Sequence, residues 1–192
     1  MVNELRARPR VCRVHDAIMD GLTDLLVRAD GASVLDLGCN RGLAGYAMAC
    51  NGARLVHGVD LAPDAVEIAK GLFADLVDCR GEFVVGDLTR GIECLAPFGN
   101  GQYDIIMMLA TYHKIARPPS KPYVELGARG MDASELSDFI TALGNRTTHY
   151  FAFRDKLEFF PQIEQAMAKA GLRSVHRNEM SQMGATGIWQ RG

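Results

Sequence analysis

The chain has 192 residues, a formal charge of −2, 48% hydrophobic and 23% charged residues. This is enough for one domain with its own core over 1–192, and it lacks the clustered Lys and Arg that a nucleic-acid partner requires. No apolar run approaches the ~20 residues of a membrane span, and Arg6, Arg8 and Arg10 have no apolar segment behind them, so they read as a solvated terminus or a small phosphate-seeking arm, not a secretory signal.

Val11, Val14, His15, Ile18, Leu22, Leu25 and Leu26 recur at helical spacing and predict an amphipathic helix within an N-terminal extension, residues 1–30. His15 on that stripe reads as a packed core histidine. Val34 to Leu37 reads as a buried parallel strand that breaks at Gly38. A helix then starts near Gly42, with Leu43, Tyr46, Ala47 and Cys50 on one face and Asn51-Gly52 at its end. Arg54 to Asp60 is the second strand, and Pro63 opens a helix whose buried face is Val66, Ala69, Phe73, Leu76 and Val77. Gly81 to Leu88 is the third strand and Tyr103 to Leu109 the fourth.

Residues 116–130 hold three prolines and two glycines, which predicts an irregular, lid-like segment. Asp132 and Glu135 form a capping box for a helix with Leu136, Phe139, Ile140 and Leu143 inside. Thr148 to Phe153 is the fifth strand, ending at Arg154. A helix striped by Phe160, Ile163, Met167 and Ala170 follows, and Leu172 to Asn178 with Ala185 to Gln190 read as a closing hairpin. The five cysteines are odd in number and contain no C-x-x-C pair. They read as reduced, buried thiols of a cytoplasmic protein without a metal site, with Cys39 the most reactive because it lies in the turn after the first strand.

That turn carries the chemistry. A strand, a turn of small residues and a helix start leave backbone N–H groups facing a ligand, with little side chain in the way. The stretch Asp36-Leu37-Gly38-Cys39-Asn40-Arg41-Gly42 resembles motif I, acid-x-Gly-x-Gly-x-Gly, of the class I S-adenosylmethionine-dependent methyltransferases, nearest in pattern to those acting on small molecules. Asn40 replaces the middle glycine, and asparagine is the non-glycine residue that best tolerates a left-handed backbone. The rival dinucleotide fingerprint would need glycines at 38, 40 and 43, and position 43 is leucine.

The resemblance covers roughly residues 30–190. It implies a three-layer αβα sandwich around a mostly parallel seven-stranded sheet, order 3-2-1-4-5-7-6, with the last strand antiparallel. It also implies that the N-terminal helix lies over the cofactor, S-adenosylmethionine. Asp36 with the backbone of Gly38, Cys39, Asn40 and Gly42 would hold its methionine end. Asp60, followed by Leu61, would take the ribose hydroxyls. Asp87 would face the adenine amino group, with the Leu88 N–H at the ring nitrogen. These acids end three successive strands, about 25 residues apart.

Leu109 and Ala110 would flank the sulfonium, and Tyr112 and His113 would line the gap to the acceptor. His113 is the candidate base, since histidine titrates near neutral pH. Arg154 is either a fork for an anionic acceptor or a salt-bridge partner of Asp155 or Glu158. Neither the Asn/Asp-Pro-Pro-Tyr/Phe signature of N-methyltransferases nor the Pro-Cys of cytosine C5 enzymes occurs after the fourth strand. The reading is methyl transfer to a metabolite, sugar or lipid-linked acceptor. RNA or protein is the alternative acceptor, and a nicotinamide-dependent oxidoreductase or a non-catalytic cofactor-binding subunit are the readings from other classes. Oligomeric state is open.

Overall fold

Every residue of Ser33–Leu37 is buried, which is the signature of a strand covered on both faces. A computed structural model describes residues 18–116, 124–127, 129–179 and 184–192. In it this strand, β1, lies inside a seven-stranded sheet. The other strands are β2 (Leu55–Asp60), β3 (Arg80–Val85), β4 (Tyr103–Leu109), β5 (Thr147–Asp155), β6 (Leu172–Asn178) and β7 (Ala185–Arg191). Their order is 3-2-1-4-5-7-6. Strands β3, β2, β1, β4 and β5 run parallel, and β7 is antiparallel to both β5 and β6. The sheet is as the resemblance implied.

Helices cover both faces. On one lie α1 (Thr23–Leu26), α2 (Leu43–Cys50) and α3 (Pro63–Phe73); on the other lie α4 (Tyr112–Ile115), α5 (Ala133–Arg146) and α6 (Phe160–Lys169). Strand residues alternate between the two cores. Val34, Ile105, Met107 and Ala152 belong to the core under α1–α3, whereas Leu35, Leu37, Ile106, Met108, Phe151 and Phe153 belong to the other.

The capping box of α5 is present: Asp132 Oδ1 accepts from the N–H groups of Ser134 and Glu135, and Glu135 accepts from the Asp132 N–H. Such a cap stabilises a helix start by about 1 kcal/mol. It fixes the chain just after Met131, whose N–H bonds to the Ile115 carbonyl at 2.7 Å. The ends of the 116–130 segment are thereby joined, while most of that segment lies outside the described residues. Arg191 closes the far end, donating to the carbonyls of Thr147, Ala170 and Gly144, so one cation serves the last turns of both α5 and α6.

Several expectations are corrected. The N-terminal helix is interrupted: Gly21 adopts φ 73°, and among the described residues only Thr23–Leu26 forms a named α-helix before β1. Val11, Val14 and His15 lie outside the described residues. The buried face of α2 is Ala44, Gly45, Ala47 and Met48, and Cys50 is exposed. Small residues face inward there because the helix packs closely on β1 and β2. A Cβ on Gly45 would meet Val56 at 2.7 Å. Helix α3 stops at Phe73, leaving Val77 95% exposed. The third strand stops at Val85, and Leu88–Phe98, unassigned by periodicity, forms two short 3₁₀ turns kinked at Gly91.

Candidate active site

The C-terminal edge of β1, β2 and β4 holds the site, where open α/β sheets expose strand ends to ligands. After β1 the chain turns through three left-handed residues: Gly38 (φ 70°), Asn40 (φ 49°) and Gly42 (φ 74°). Asn40 therefore does what the sequence requires of it. At Gly38 a Cβ would collide with the Thr111 side chain, and at Gly42 it would meet Ala69 Cβ at 2.9 Å, so neither position can carry a side chain. The turn is tied to β2: Gly38 and Cys39 N–H groups bond to the Val59 carbonyl at 2.8 and 3.1 Å, and the Asn40 N–H bonds to Asp60 Oδ2 at 2.8 Å.

Asp60 is 4% exposed, and its other oxygen accepts the Ala62 N–H at 2.9 Å. It organises the turn before any ligand arrives, and each carboxylate oxygen retains a lone pair. Asp87 lies two residues past β3 as an N-cap, its Oδ1 accepting from Thr89 N–H and Oγ1–H.

Asp36 is 2% exposed and accepts a hydrogen bond from the Gly45 N–H at 3.2 Å. Burial pushes its carboxyl up to about 7; the Gly45 bond and the charge of Arg154 oppose that shift, and Asp60 adds to it. Helix α2 has no capping side chain of its own at Gly42, so Asp36 reaches from β1 to a donor of its first turn.

Two cavities meet at Gly38. The larger, about 350 Å³, is lined by Ile18, Asp36, Gly38, Cys39, Asn40, Arg41, Leu43, Ala44, Leu109 and Arg154. The other is a slot of about 20 Å³ lined by Gly38, Asp60, Leu61, Gly86, Asp87, Leu88, Thr89, Thr111, Lys114 and Ile115. It falls well below the ~300 Å³ of an open small-molecule pocket, and its outer wall includes the four-residue helix α4. Ala110, which follows Leu109 of the larger cavity and precedes Thr111 of the slot in sequence, is a non-glycine residue at φ 55°, with its N–H bonded to the Arg154 carbonyl at 2.6 Å. Backbone strain of this kind concentrates at working sites.

Residues expected on the acceptor side separate. Tyr112 is 4% exposed, with its ring against Phe153 and Phe159; it belongs to the core and does not line a gap. His113 Nδ1 sits 2.9 and 3.0 Å from the two oxygens of Asp155, whose side chain is 2% exposed, and the His113 N–H also bonds to Asp155 at 3.2 Å. Arg154, next to Asp155 on β5, points to the opposite face, as strand alternation demands. It lines the larger cavity with Asp36 and so turns away from Asp155, the salt-bridge partner expected of it. Its grouping with His113 is corrected.

Asp155 itself was missed. Its signal was parity: if Arg154 faces one side of β5, its neighbour faces the other. Cys39 is also corrected. It is 5% exposed, and burial, with Asp36 and Asp60 nearby, drives its thiol far above the ordinary range, so it is the opposite of a reactive thiolate.

A family model described as a methyltransferase domain matches residues 34–129. The O-antigen chain terminator bifunctional methyltransferase/kinase WbdD of Escherichia coli is 33% identical over 94 residues, 48% of this chain and 13% of that protein. The ribosomal protein L11 methyltransferase of Clostridium botulinum is 34% identical over 79 residues, 33% of this chain and 25% of that protein. The chain thus matches only a minor part of the length of these curated relatives. Among solved structures, magnesium protoporphyrin IX methyltransferase from Synechocystis PCC 6803 with bound S-adenosylmethionine shares the fold at TM-score 0.66 and 19% identity, covering 97% of this chain and 86% of that one. An S-adenosylmethionine-dependent methyltransferase from Clostridium acetobutylicum does so at TM-score 0.65 and 12% identity, covering 93% and 92%. With residues 34–129 matched and all seven strands in the expected order, the chain belongs to the methyltransferase-domain family and carries the Rossmann-like fold of its S-adenosylmethionine-dependent members.

Proposed function

We propose that the chain transfers a methyl group from S-adenosylmethionine to a small-molecule acceptor. The observation that carries the cofactor half is the pair of cavities joined at Gly38. One is bounded by a buried acid and a buried guanidinium, the other by Asp60, Asp87 and apolar Leu61 and Leu88. A ligand with a zwitterionic head and a nucleoside tail matches that division. The residues fit the group: Asp36 would face its ammonium, the 38–42 backbone would cradle the head, Asp60 the ribose and Asp87 with Leu88 the base. When bound, S-adenosylmethionine supplies an electrophilic methyl on a good leaving group. The slot requires its wall at Thr111, Lys114 and Ile115 to move outward before a nucleoside enters.

The protein's own task is then alignment and proton removal. Leu109, which lines the larger cavity, and its neighbour Ala110 would be the apolar elements that exclude water. For an acidic acceptor, Asp155 would hold the proton on His113 Nδ1 and leave Nε2 as the accepting atom. A small acceptor over a nucleic acid is supported by the −2 charge and the lack of a long basic run. A protein acceptor is the second reading, favoured by the match to a ribosomal protein methyltransferase. The test is label transfer from methyl-labelled S-adenosylmethionine into fractionated cell extract. Label in the low-molecular-mass fraction is expected; label confined to protein or RNA would reverse the acceptor assignment.

A further inference from the structure

Arg154 is a cation walled deep into the larger cavity. It is 3% exposed, its Nε is buried with no hydrogen-bond partner among the described residues, and Nη1 reaches the Asp20 carbonyl only at 3.4 Å. A guanidinium presents five N–H donors in a planar fork made for a carboxylate, so capacity is left for a ligand. Leaving such donors unmet costs stability, and the site keeps them directed at a space it shares with Asp36, Gly38 and Leu109. Its strand explains the aim: Arg154 pairs with Leu109 on β4 and Thr186 on β7, so it emerges at the sheet edge on the α1–α3 face, where Asp36 also emerges. The groups acting on it electrostatically are Asp20 and Asp36.

We infer that Arg154 clamps the carboxylate of the methyl donor's amino-acid head while Asp36 faces its ammonium, so that the site selects a zwitterion over an amine or a neutral thioether. This rests on the cofactor reading above. Asp36 holds the Gly45 N–H and acts on Arg154 electrostatically, without a hydrogen bond or ion pair to it among the described residues. One acid and one base lining the same cavity match a ligand carrying one of each. An acceptor anion is the competing guest for the same cavity.

Calorimetric binding of three ligands separates these readings: S-adenosylhomocysteine, its decarboxylated analogue, which keeps the ammonium, and 5′-methylthioadenosine, which has neither charge. The wild type should prefer S-adenosylhomocysteine over the decarboxylated analogue by ~30-fold or more, the worth of a charge-assisted bidentate pair. Arg154→Met should remove that preference and leave the other two ligands within about twofold, while Arg154→Lys, a point charge without the fork, should retain part of it. The lysine variant and the wild-type ligand series keep the test alive if the methionine variant does not fold. Equal loss for all three ligands would assign Arg154 a structural role and overturn the clamp. Unchanged S-adenosylhomocysteine affinity with a raised acceptor KM would overturn it in favour of an acceptor anchor. Failure of the wild type to bind any of the three would overturn the cofactor reading itself, whereas tight wild-type binding without carboxylate preference would sink the clamp alone.

Discussion

Replacing Asp36 by asparagine should make the ligand-free protein more stable and the liganded one weaker, and pH should decide by how much. The buried carboxyl is raised from 3.8 to about 7. Its folded value exceeds its unfolded one, so the native state holds the proton more tightly. The contribution of Asp36 to stability is greatest below about pH 4, falls as pH rises to about 7, and then levels off. At about 1.36 kcal/mol per pH unit, that rise places the cost of ionising it at roughly 4 kcal/mol. The amide of Asp36→Asn would keep an acceptor for the Gly45 N–H without the charge. The stability gap between Asp36→Asn and wild type should therefore widen by about 2–3 kcal/mol between pH 5 and pH 8, or ~5–10 °C in Tm for a domain of this size. Binding should run the other way. An ammonium beside Asp36 favours its ionised form, so wild-type affinity for S-adenosylhomocysteine should fall about tenfold per pH unit below 7, and the variant should bind ~10–100-fold more weakly at pH 8 with a flatter pH profile. Thermal melts and calorimetry across pH 5–8 measure both. Parallel Tm profiles for the two proteins, or equal affinity at pH 8, would refute the account of Asp36 as a buried acid waiting for a cation.

Asn40→Gly should be nearly neutral in thermal melts, because φ 49° suits both residues, whereas Asn40→Val should lose roughly 1–2 kcal/mol and cofactor affinity together. Ala110→Gly should raise Tm by relieving φ 55°, a gain of about 1 kcal/mol, and an unchanged Tm would show that Ala110 is not strained. His113→Ala and Asp155→Asn should each lower kcat by ~10²-fold while leaving S-adenosylhomocysteine affinity intact, as calorimetry beside a methyl-transfer assay would show; full turnover in the His113 variant would withdraw the base.

The central strands were legible because a parallel strand covered on both faces is mostly apolar and carries an acid near its end, and neither signal depends on what packs above it. Helix α5 was legible in full because the Asp132–Glu135 box is local chemistry. Helix α2 was not, since its inward face is Ala44, Gly45, Ala47 and Met48. Close packing selects small residues there, and hydrophobic periodicity looks for large ones. The 3₁₀ turns of Leu88–Phe98 have no 3.6-residue stripe to find. Tyr112 and His113 sat in the expected stretch, but four residues of helix turned the tyrosine into the core and the histidine toward a partner from another strand.

The strand-end acids also show why a motif residue and a contact residue are different things. The resemblance implies that Asp60 meets a ribose. In the structure both of its oxygens already hold N–H groups, those of Asn40 and Ala62. Asp60→Ala would strand two donors at a 4% exposed position, at about 1–3 kcal/mol each, and would release the turn that cradles any ligand. Its loss of affinity would therefore report the turn as much as a ribose contact. Asp60→Asn discriminates better: its carbonyl oxygen can keep one of the two N–H bonds, so stability should fall by less than in the alanine variant. If the carboxylate also meets hydroxyls, affinity for both S-adenosylhomocysteine and 5′-methylthioadenosine should drop about equally, since the ribose is common to them. A drop that tracks Tm alone, with calorimetric affinity restored under conditions that restore the fold, would leave Asp60 as the strut of the turn and move ribose recognition elsewhere in the slot.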